Sequence, residues 1–570
     1  MTKASLADCE AYISRYEPKD SENPGYLSIK GFCNLFKSID FNIFNRSHRV
    51  VCEVMSEPLS DYYIASSYNT IQMTGESRVE SYQSALTRGC RCIDLEVIDG
   101  DNGEPIVCHG LSATILLRDV LQTIQKYAFK TTQYPLILSM EIHCSFEQQI
   151  VIASLIRQIL KDYLYDGVVD NNKSHLPSPE TLVRKILIQS KKLPKIKTKK
   201  LSKLKKSLEL DAINESESQP EDTDEEEEDG YDSDNDISDN DLKDDTIDGN
   251  IGTKSIKFTE DQNKEVMKNT ENLNSVKKHN NNNNMNRSNT FPSNNKKDHR
   301  KNIRTDPDQL NGDHHPLGKY YEMISLEEEK SETFSKTKPD DQKYVKFTKK
   351  HLVRTYPKGD LTNYNPISHW NMGSQLVALN YQITDKPMLF NEALFAMNGK
   401  CGYVLKSDYL RKGKEYGMSG RSSVINAPTS KIKKVWIKII SGQHIPKPGN
   451  SLDGEIVDPY VELRVYGHPA DSKTEFKTSP VKNNGFNPIW EESTEFIIRL
   501  PDMAFIYFAV RDNLTTDSDV ILGQYMLAFP AIMEGYRTVN LVDSDNRSLS
   551  PASLLVHITF KDVGDYWSPE

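Results

Sequence analysis

The sequence predicts a multidomain chain of the α/β plus all-β class: an α/β barrel in two halves, a long insert between them, then a β-sandwich. Three observations carry this. Between Asp61 and Cys144, four short apolar or alternating runs, strand-like by period and length, each end in polar residues able to do chemistry. At Lys191 the composition turns abruptly to charged and Asn-rich sequence with nothing to bury. Beyond Lys431, short apolar runs recur at the regular spacing of a sandwich.

A chain of 570 residues has room for roughly two to four domains. The net charge of −11 hides a segregation of the two signs, so it says little about partners by itself. The eight cysteines (9, 33, 52, 90, 92, 108, 144, 401) lie mostly in apolar runs, and Cys90 and Cys92 are too close for a zinc-binding C-x-x-C. With no secretory leader, reduced structural thiols are expected. No apolar run approaches the roughly 18 residues that span a bilayer. The expectation is an intracellular, cytoplasmic protein whose membrane contact is peripheral, with the nucleus left open.

The four runs are D-Y-Y-I-A-S-S-Y-N-T (61–70), C-R-C-I-D-L-E-V-I-D-G (90–100), E-P-I-V-C-H-G (104–110) and Y-P-L-I-L-S-M-E-I-H-C (134–144). Asn69, Asp94, Glu96, His109 and Glu141 stand at or just past their ends. Carboxylates and an imidazole at the C-terminal ends of separate strands are how an α/β barrel builds an active site. Three carboxylates and an amide oxygen suit a hard cation such as calcium.

At these residues the chain resembles phosphoinositide-specific phospholipase C, matching the X half of its catalytic barrel in order and nearly in spacing. The resemblance extends to a Y half and a C2 domain and covers roughly three quarters of the chain. It implies a TIM-like (β/α)8 barrel with the X half over 56–192. Residues 1–55, with I-S-R-Y-E-P, L-S-I-K-G-F and F-N-R-S-H-R-V-V, then look like the last part of an EF-hand lobe. No D-x-D-x-D-G loop is present, so no calcium is expected there. No pleckstrin-homology domain fits in so short a segment, an arrangement closer to zeta-type than delta-type members.

Within the X half, Phe146, Ile150, Ile152, Leu155, Ile156, Ile159 and Leu160 recur at helical spacing over 146–165, and K-I-L-I-Q-S (185–190) reads as the next strand. The insert, 193–316, opens on the basic run of 191–206, passes to the acidic run of 221–236 and continues Asn/Lys-rich. Disorder is its default reading. The basic run is either a solvated linker or a patch drawn to anionic lipid at about 1 kcal/mol per residue; nuclear import is less specific. The acidic run either pairs with it or covers a cationic active-site mouth. G-T-K-S-I-K-F (252–258) resembles the strand that opens the Y half, but its lead-in T-I-D-G-N-I is poor for a buried strand.

The Y half, 317–421, is expected to place strands at 320–326, 352–357, 375–381 and 401–406. The last domain, 431–563, is expected to have strands at 435–442, 458–467, 486–490, 496–500, 506–512 and 554–560, and V-D-P-Y-V and N-N-G-F-N-P-I-W resemble a C2 domain.

The resemblance assigns roles. Asn69, Asp94, Glu96 and Glu141 match the calcium ligands, with Asp94 standing for a family Glu and Glu96 for a family Asp. The exchange keeps charge but moves each carboxylate by about one methylene, which implies a weakened site. His109 matches the histidine that protonates the departing diacylglycerol oxygen. The other catalytic histidine belongs in S-S-H-N-T; this chain reads S-S-Y-N-T, with Tyr68 in its place. A phenol ionises only near pH ~10 and presents no cation. Losing a positioned acid–base or oxyanion-stabilising group costs on the order of 10²–10⁴ in rate.

In the headgroup pocket the first of two lysines has become Gln189 while Lys191 remains, and Arg354 and Tyr356 match the pattern. Glu327 stands where Ser is expected, either repelling a phosphate or pointing to solvent on a shifted loop. In the C2 domain Asp458 and Asp512 match calcium-loop aspartates, whereas Leu514 and Val520 replace two others, with Asp517 and Asp519 nearby.

The leading expectation is a phospholipase-C-like protein of phosphoinositide signalling with impaired or absent catalysis, acting at phosphoinositide membranes, on inositol phosphates or, through the insert, on protein partners. It would work as a monomer with Ca2+ as cofactor. The alternative is a working calcium-dependent phosphodiesterase cleaving phosphatidylinositol 4,5-bisphosphate to inositol trisphosphate and diacylglycerol. Nucleic-acid binding by 191–206 lacks interleaved aromatics and is not expected.

Overall fold

A computed structural model describes residues 6–19, 25–73, 76–109, 114–167, 174–191, 319–336, 340–359, 362–412, 431–448, 456–471, 474–513 and 520–564. The expected strand at 252–258, nearly all of the basic run and the acidic run lie outside them. Barrel and sandwich fall in one compact unit.

Seven strands form the barrel sheet: β1 Ser66–Ser67, β2 Cys92–Ile98, β3 Leu136–His143, β4 Ile186–Ser190, β5 Ile324–Glu327, β6 Val353–Tyr356 and β7 Leu376–Leu379. They run parallel in the order β5–β6–β7–β1–β2–β3–β4, so the strands before and after the insert join at β7–β1. β4 and β5 are the free edges among the described residues. Burial of Leu136 to Met140 without a break is the mark of a parallel strand covered on both faces. The covering helices follow from their apolar spacing. Leu117, Val120, Leu121 and Ile124 bury one stripe of Leu117–Tyr127, and Ile152, Leu155, Ile156 and Ile159 one stripe of Phe146–Leu160. That second helix starts at Ser145, whose hydroxyl accepts from the Gln148 amide. It ends at Leu160, earlier than the periodicity suggests, and its first apolar positions Phe146 and Ile150 face solvent at 53% and 54% exposure.

Two expected strands lie outside the parallel sheet. The run at 104–110 gives Ile106–Cys108, antiparallel on β2, which hangs His109 beside the strand ends. The run at 401–406 gives Tyr403–Leu405, antiparallel to Tyr62–Ile64 in a two-stranded sheet. Apolar content identified these strands; it does not encode direction. The run at 320–326 is shorter than expected, ordered as strand only from Ile324.

The C-terminal domain is antiparallel throughout. One four-stranded layer is Glu475–Lys477, Pro459–Tyr466, Phe505–Asp512 and Ile521–Ala528; the other is Gly535–Val542, Ser548–Gly564, Ile432–Gln443 and Ile489–Ile498. The layers are stitched by one register pair, Gln524↔Val542. The runs expected at 486–490 and 496–500 are one strand, Ile489–Ile498, whose charged middle looks outward. Three strands were not anticipated: Glu475–Lys477 and Gly535–Val542, which have no continuous apolar run, and Ile521–Ala528, which is apolar but was passed over.

Barrel and sandwich share one continuous core. Phe390 meets Tyr466 and Phe505 edge-on at 5.1 and 5.6 Å, and Asn371 Nδ2 donates to Gly467 O at 3.1 Å. At the N-terminus, helices Leu6–Tyr16 and Ile29–Phe36 lead to buried Asp40, which accepts from Tyr16 and Arg46 at 2.7 and 2.9 Å. The following residues join the sandwich: Ile43 lies in its core, and Asn42 and Phe44 bridge to Thr538 and Ile532. All eight cysteines are free thiols. Among the described residues no helix is long and apolar enough to cross a membrane.

Candidate active site

Parallel register sets the site's rows. In a strand, residues two apart share a face, so Asp94 and Glu96 of β2 point the same way. Asp94 registers with Ser139 and, through it, with Gln189; Glu96 registers with Glu141. Across the sheet Ser325 registers with Arg354, and Glu327 with Tyr356. Tyr68 and Asn69 follow β1 directly, and His109 follows the hairpin strand whose Cys108 registers with Glu96. The barrel residues predicted from the sequence therefore converge at one end of the sheet.

Asn69 has a left-handed backbone (φ 47°) and is 2% exposed, and neither its amide oxygen nor its nitrogen has a hydrogen-bond partner. A buried amide without a partner is uncommon and costly, and strain of this kind collects at functional sites. Thr70 holds the turn, donating to Ser67 Oγ at 2.8 Å and accepting from the Asp94 amide at 3.2 Å.

Each carboxylate faces a base. Arg354 Nη2 lies 3.0 Å from Asp94 Oδ1, a close ion pair without hydrogen-bond alignment, with the two side chains 8% and 20% exposed. Burial disfavours the guanidinium's charge, but Asp94 together with Cys92, Tyr364 and Tyr68 outweighs it, and the Arg354 pKa is raised. His109 Nδ1 lies 3.5 Å from Glu96 Oε2. Glu141 is ion-paired to Lys191 and lies 3.2 Å from His143 Nε2. Burial pushes Glu141 up, and those two neighbours outweigh it and hold the carboxyl below its usual range. Among the described residues no three His, Cys, Asp or Glu side chains are grouped as metal ligands.

Tyr68 sits among the others. Its ring stacks on Tyr356 at 6.0 Å and 18° and meets His109 edge-on at 5.5 Å. The Arg354 guanidinium lies 6.0 and 5.4 Å from the Tyr68 and Tyr356 ring centres, within reach of cation–π attraction. Burial first, and then the Glu327 charge, raise the Tyr356 phenol. Glu327 is the last residue of β5 and half-buried, so it faces the mouth rather than lying on a displaced loop.

Sequence reasoning missed Ser325, whose hydroxyl accepts from Arg354 Nη1 at 3.3 Å, and it missed Thr70 and His143. Ser325 and His143 were signalled only by alternation with Glu327 and Glu141 along their strands, and Thr70 only by following Asn69 in the turn. In the sandwich, Asp458 and Asp512 meet through the backbone: the Asp458 amide donates to Asp512 Oδ1 at 2.8 Å, and the Asn483 amide to Asp458 Oδ1 at 2.7 Å. Leu514, Asp517 and Asp519 lie outside the described residues, and Val520 is 37% exposed.

Comparison with known proteins gives the family. The X domain of phosphatidylinositol-specific phospholipase C matches residues 55–192, its Y domain 302–409, and a C2 domain 433–542. The Xenopus laevis protein named 1-phosphatidylinositol 4,5-bisphosphate phosphodiesterase delta-4 is 35% identical over 97% of this chain and 66% of its own length. The mouse protein named inactive phospholipase C-like protein 2 is 34% identical over 96% of this chain and 44% of its own. The crystal structure of L. pealei PLC21 superposes with a TM-score of 0.66 at 28% identity, covering 99% of this chain and 64% of that one. The chain thus spans between less than half and about two thirds of these proteins, and it belongs to the phosphoinositide-specific phospholipase C family.

Proposed function

We propose that this chain is a phosphoinositide phospholipase C-like protein that holds an inositol phosphate headgroup at the strand ends of its barrel and turns it over slowly or not at all. The observation that carries this reading is Tyr68, in the place of the first catalytic histidine and packed against His109, Tyr356 and Arg354. A phenol there can donate one hydrogen bond to a phosphate but cannot present the cation that steadies its developing charge. Binding has more to rest on. Arg354 and Lys191 supply positive charge, Ser325 a hydroxyl, and Tyr356 a face for the inositol ring. Glu327 at the mouth and Gln189 for a lysine both weaken the hold on phosphate.

The calcium expectation has support in the donors: four oxygen ligands, with the Asn69 amide oxygen buried and unpartnered. Asn69, Asp94, Glu96 and Glu141 would hold the ion, and bound there it would supply Lewis acidity toward the phosphate. Arg354 and Lys191 already neutralise Asp94 and Glu141, and the His109 ring stands against Glu96, so weak calcium affinity is expected. Peripheral attachment to phosphoinositide-bearing membrane, with the C2 domain contributing, completes the proposal. Asp458 and Asp512 are weak candidates for a second calcium, since backbone amides already take an oxygen of each.

A second reading, an active phosphodiesterase, is favoured by His109. In that reaction the inositol 2-hydroxyl gives its proton to a carboxylate of the site and attacks phosphorus, the bond to the diacylglycerol oxygen breaks, and His109, its ring steadied by Glu96, passes a proton to that oxygen; water, yielding a proton back to His109, then opens the cyclic phosphate as the carboxylate returns its proton to the 2-oxygen. Headgroup binding is tested by calorimetric titration of the full chain with inositol 1,4,5-trisphosphate, with calcium and with a chelator. Binding that survives the chelator and weakens at least tenfold in Arg354→Gln is expected. Equal binding by Arg354→Gln would contradict the assignment of the pocket.

A further inference from the structure

Away from the strand ends lies a cleft of about 490 Å³, within the size range of small-molecule sites. Three parts of the chain build it: the N-terminal stretch at Asn42–Arg49, the barrel helix Lys386–Ala396 with Lys400 beyond it, and the sandwich strands around Met526 and Leu541. Gly399 (φ +62°) closes the seam between the first two. Its amide donates to His48 O at 2.8 Å, and any Cβ there would strike the Val50 backbone at 2.6 Å.

The lining has two characters. Phe44, Leu389, Met526 and Leu527 make an apolar wall. Beside it are Lys400 and Arg49, whose guanidinium lies 5.8 Å from the Phe44 ring centre, and the single carboxylate among the lining residues, Glu392, is ion-paired to Arg88 at 2.7 Å. The cleft therefore presents net positive charge beside hydrocarbon. Asn546 also lines it, with amide oxygen and nitrogen both buried and neither hydrogen-bonded. In the adjoining hollow that shares Glu392 and Lys400, buried Asn391 has an unpartnered amide oxygen as well. Buried amides are normally satisfied, so unpartnered ones at a cleft point to a ligand that supplies the missing bonds.

We infer that this cleft binds an amphipathic organic anion, its carboxylate, sulfonate or phosphate between Arg49, Lys400 and the Asn546 amide and its apolar body along Phe44, Leu389 and Met526. The charged end gives orientation and the apolar wall most of the affinity. Such a ligand would tie the N-terminal stretch to barrel and sandwich together.

The test is a fluorescence titration of the full chain with 1-anilinonaphthalene-8-sulfonate. One saturable site is expected, weakened at least tenfold in the Arg49→Glu/Lys400→Glu double variant. Dodecanoate should displace the probe, whereas dodecanol and inorganic phosphate should not. Arg354→Gln, altered in the headgroup pocket, should bind the probe as the parent does. Should the double variant fold poorly, hydrogen exchange on the parent decides: dodecanoate must slow exchange in 42–49 and 540–548. Unchanged probe affinity in a folded double variant, displacement by dodecanol as good as by dodecanoate, or no protection in those segments would each overturn the inference.

Discussion

Tyr68 and Asp94 meet the same partner, the Arg354 guanidinium, one through its ring and the other through its carboxylate. Truncating one side of a buried pair leaves an uncompensated charge, at a cost of about 3–5 kcal/mol. Asp94→Asn should accordingly lower stability by about 3 kcal/mol in a denaturant titration; a loss under about 0.5 kcal/mol would mean that Arg354 finds its neutralising charge elsewhere. The identities at this site were legible in the sequence because they are fixed by a motif: S-S-Y-N-T, I-D-L-E, C-H-G and L-V-R-T-Y-P each named their residues. The pairing was not legible. That Asp94 takes Arg354, Glu96 takes His109 and Glu141 takes Lys191 depends on register across strands distant in the chain, which no local pattern encodes. Ser325 shares a strand face with Glu327, but its contact with Arg354 is visible only once β5 is laid beside β6.

At the level of elements, the helix Phe146–Leu160 shows what periodicity can and cannot carry. Its apolar spacing gave the helix, yet positions of equal hydrophobicity divide between core and solvent, with Leu155 5% and Ile150 54% exposed. Leu155→Ala should cost about 2–5 kcal/mol, and Ile150→Ala should stay within about 0.5 kcal/mol; equal losses in thermal melts would refute that division. Strand identity was read from short apolar runs, and direction was missed for Tyr403–Leu405, which turns antiparallel against Tyr62–Ile64. Sandwich strands such as Gly535–Val542 went unread because polar residues alternate outward and leave no continuous run.

For the whole molecule, the sequence conveyed an X half, a Y half and a sandwich. It did not convey the shared core around Phe390 and Phe505, or the N-terminal stretch that joins the sandwich at Ile43. Glu53 ties that stretch to the barrel, accepting from the Leu405 amide at 2.6 Å, and burial pushes its pKa from 4.5 up to about 7. Between these values the folded chain holds a proton that the unfolded chain has lost, so this contribution is present below pH 4.5 and fades as pH rises through about 7. Glu53→Gln should keep the bond to Leu405 and flatten the fall in Tm from pH 5 to 7.5; an unchanged slope would show that Glu53 does not titrate there. The central claim, a family barrel whose headgroup site is kept while turnover is lost at one position, is tested most directly by hydrolysis. Radiolabelled phosphatidylinositol 4,5-bisphosphate in vesicles with calcium is given to the pure full chain and to Tyr68→His. Little or no release of inositol trisphosphate is expected from the parent, and a rise on the order of 10²-fold or more in Tyr68→His. Substantial turnover by the parent, undiminished beside Tyr68→His, would contradict it.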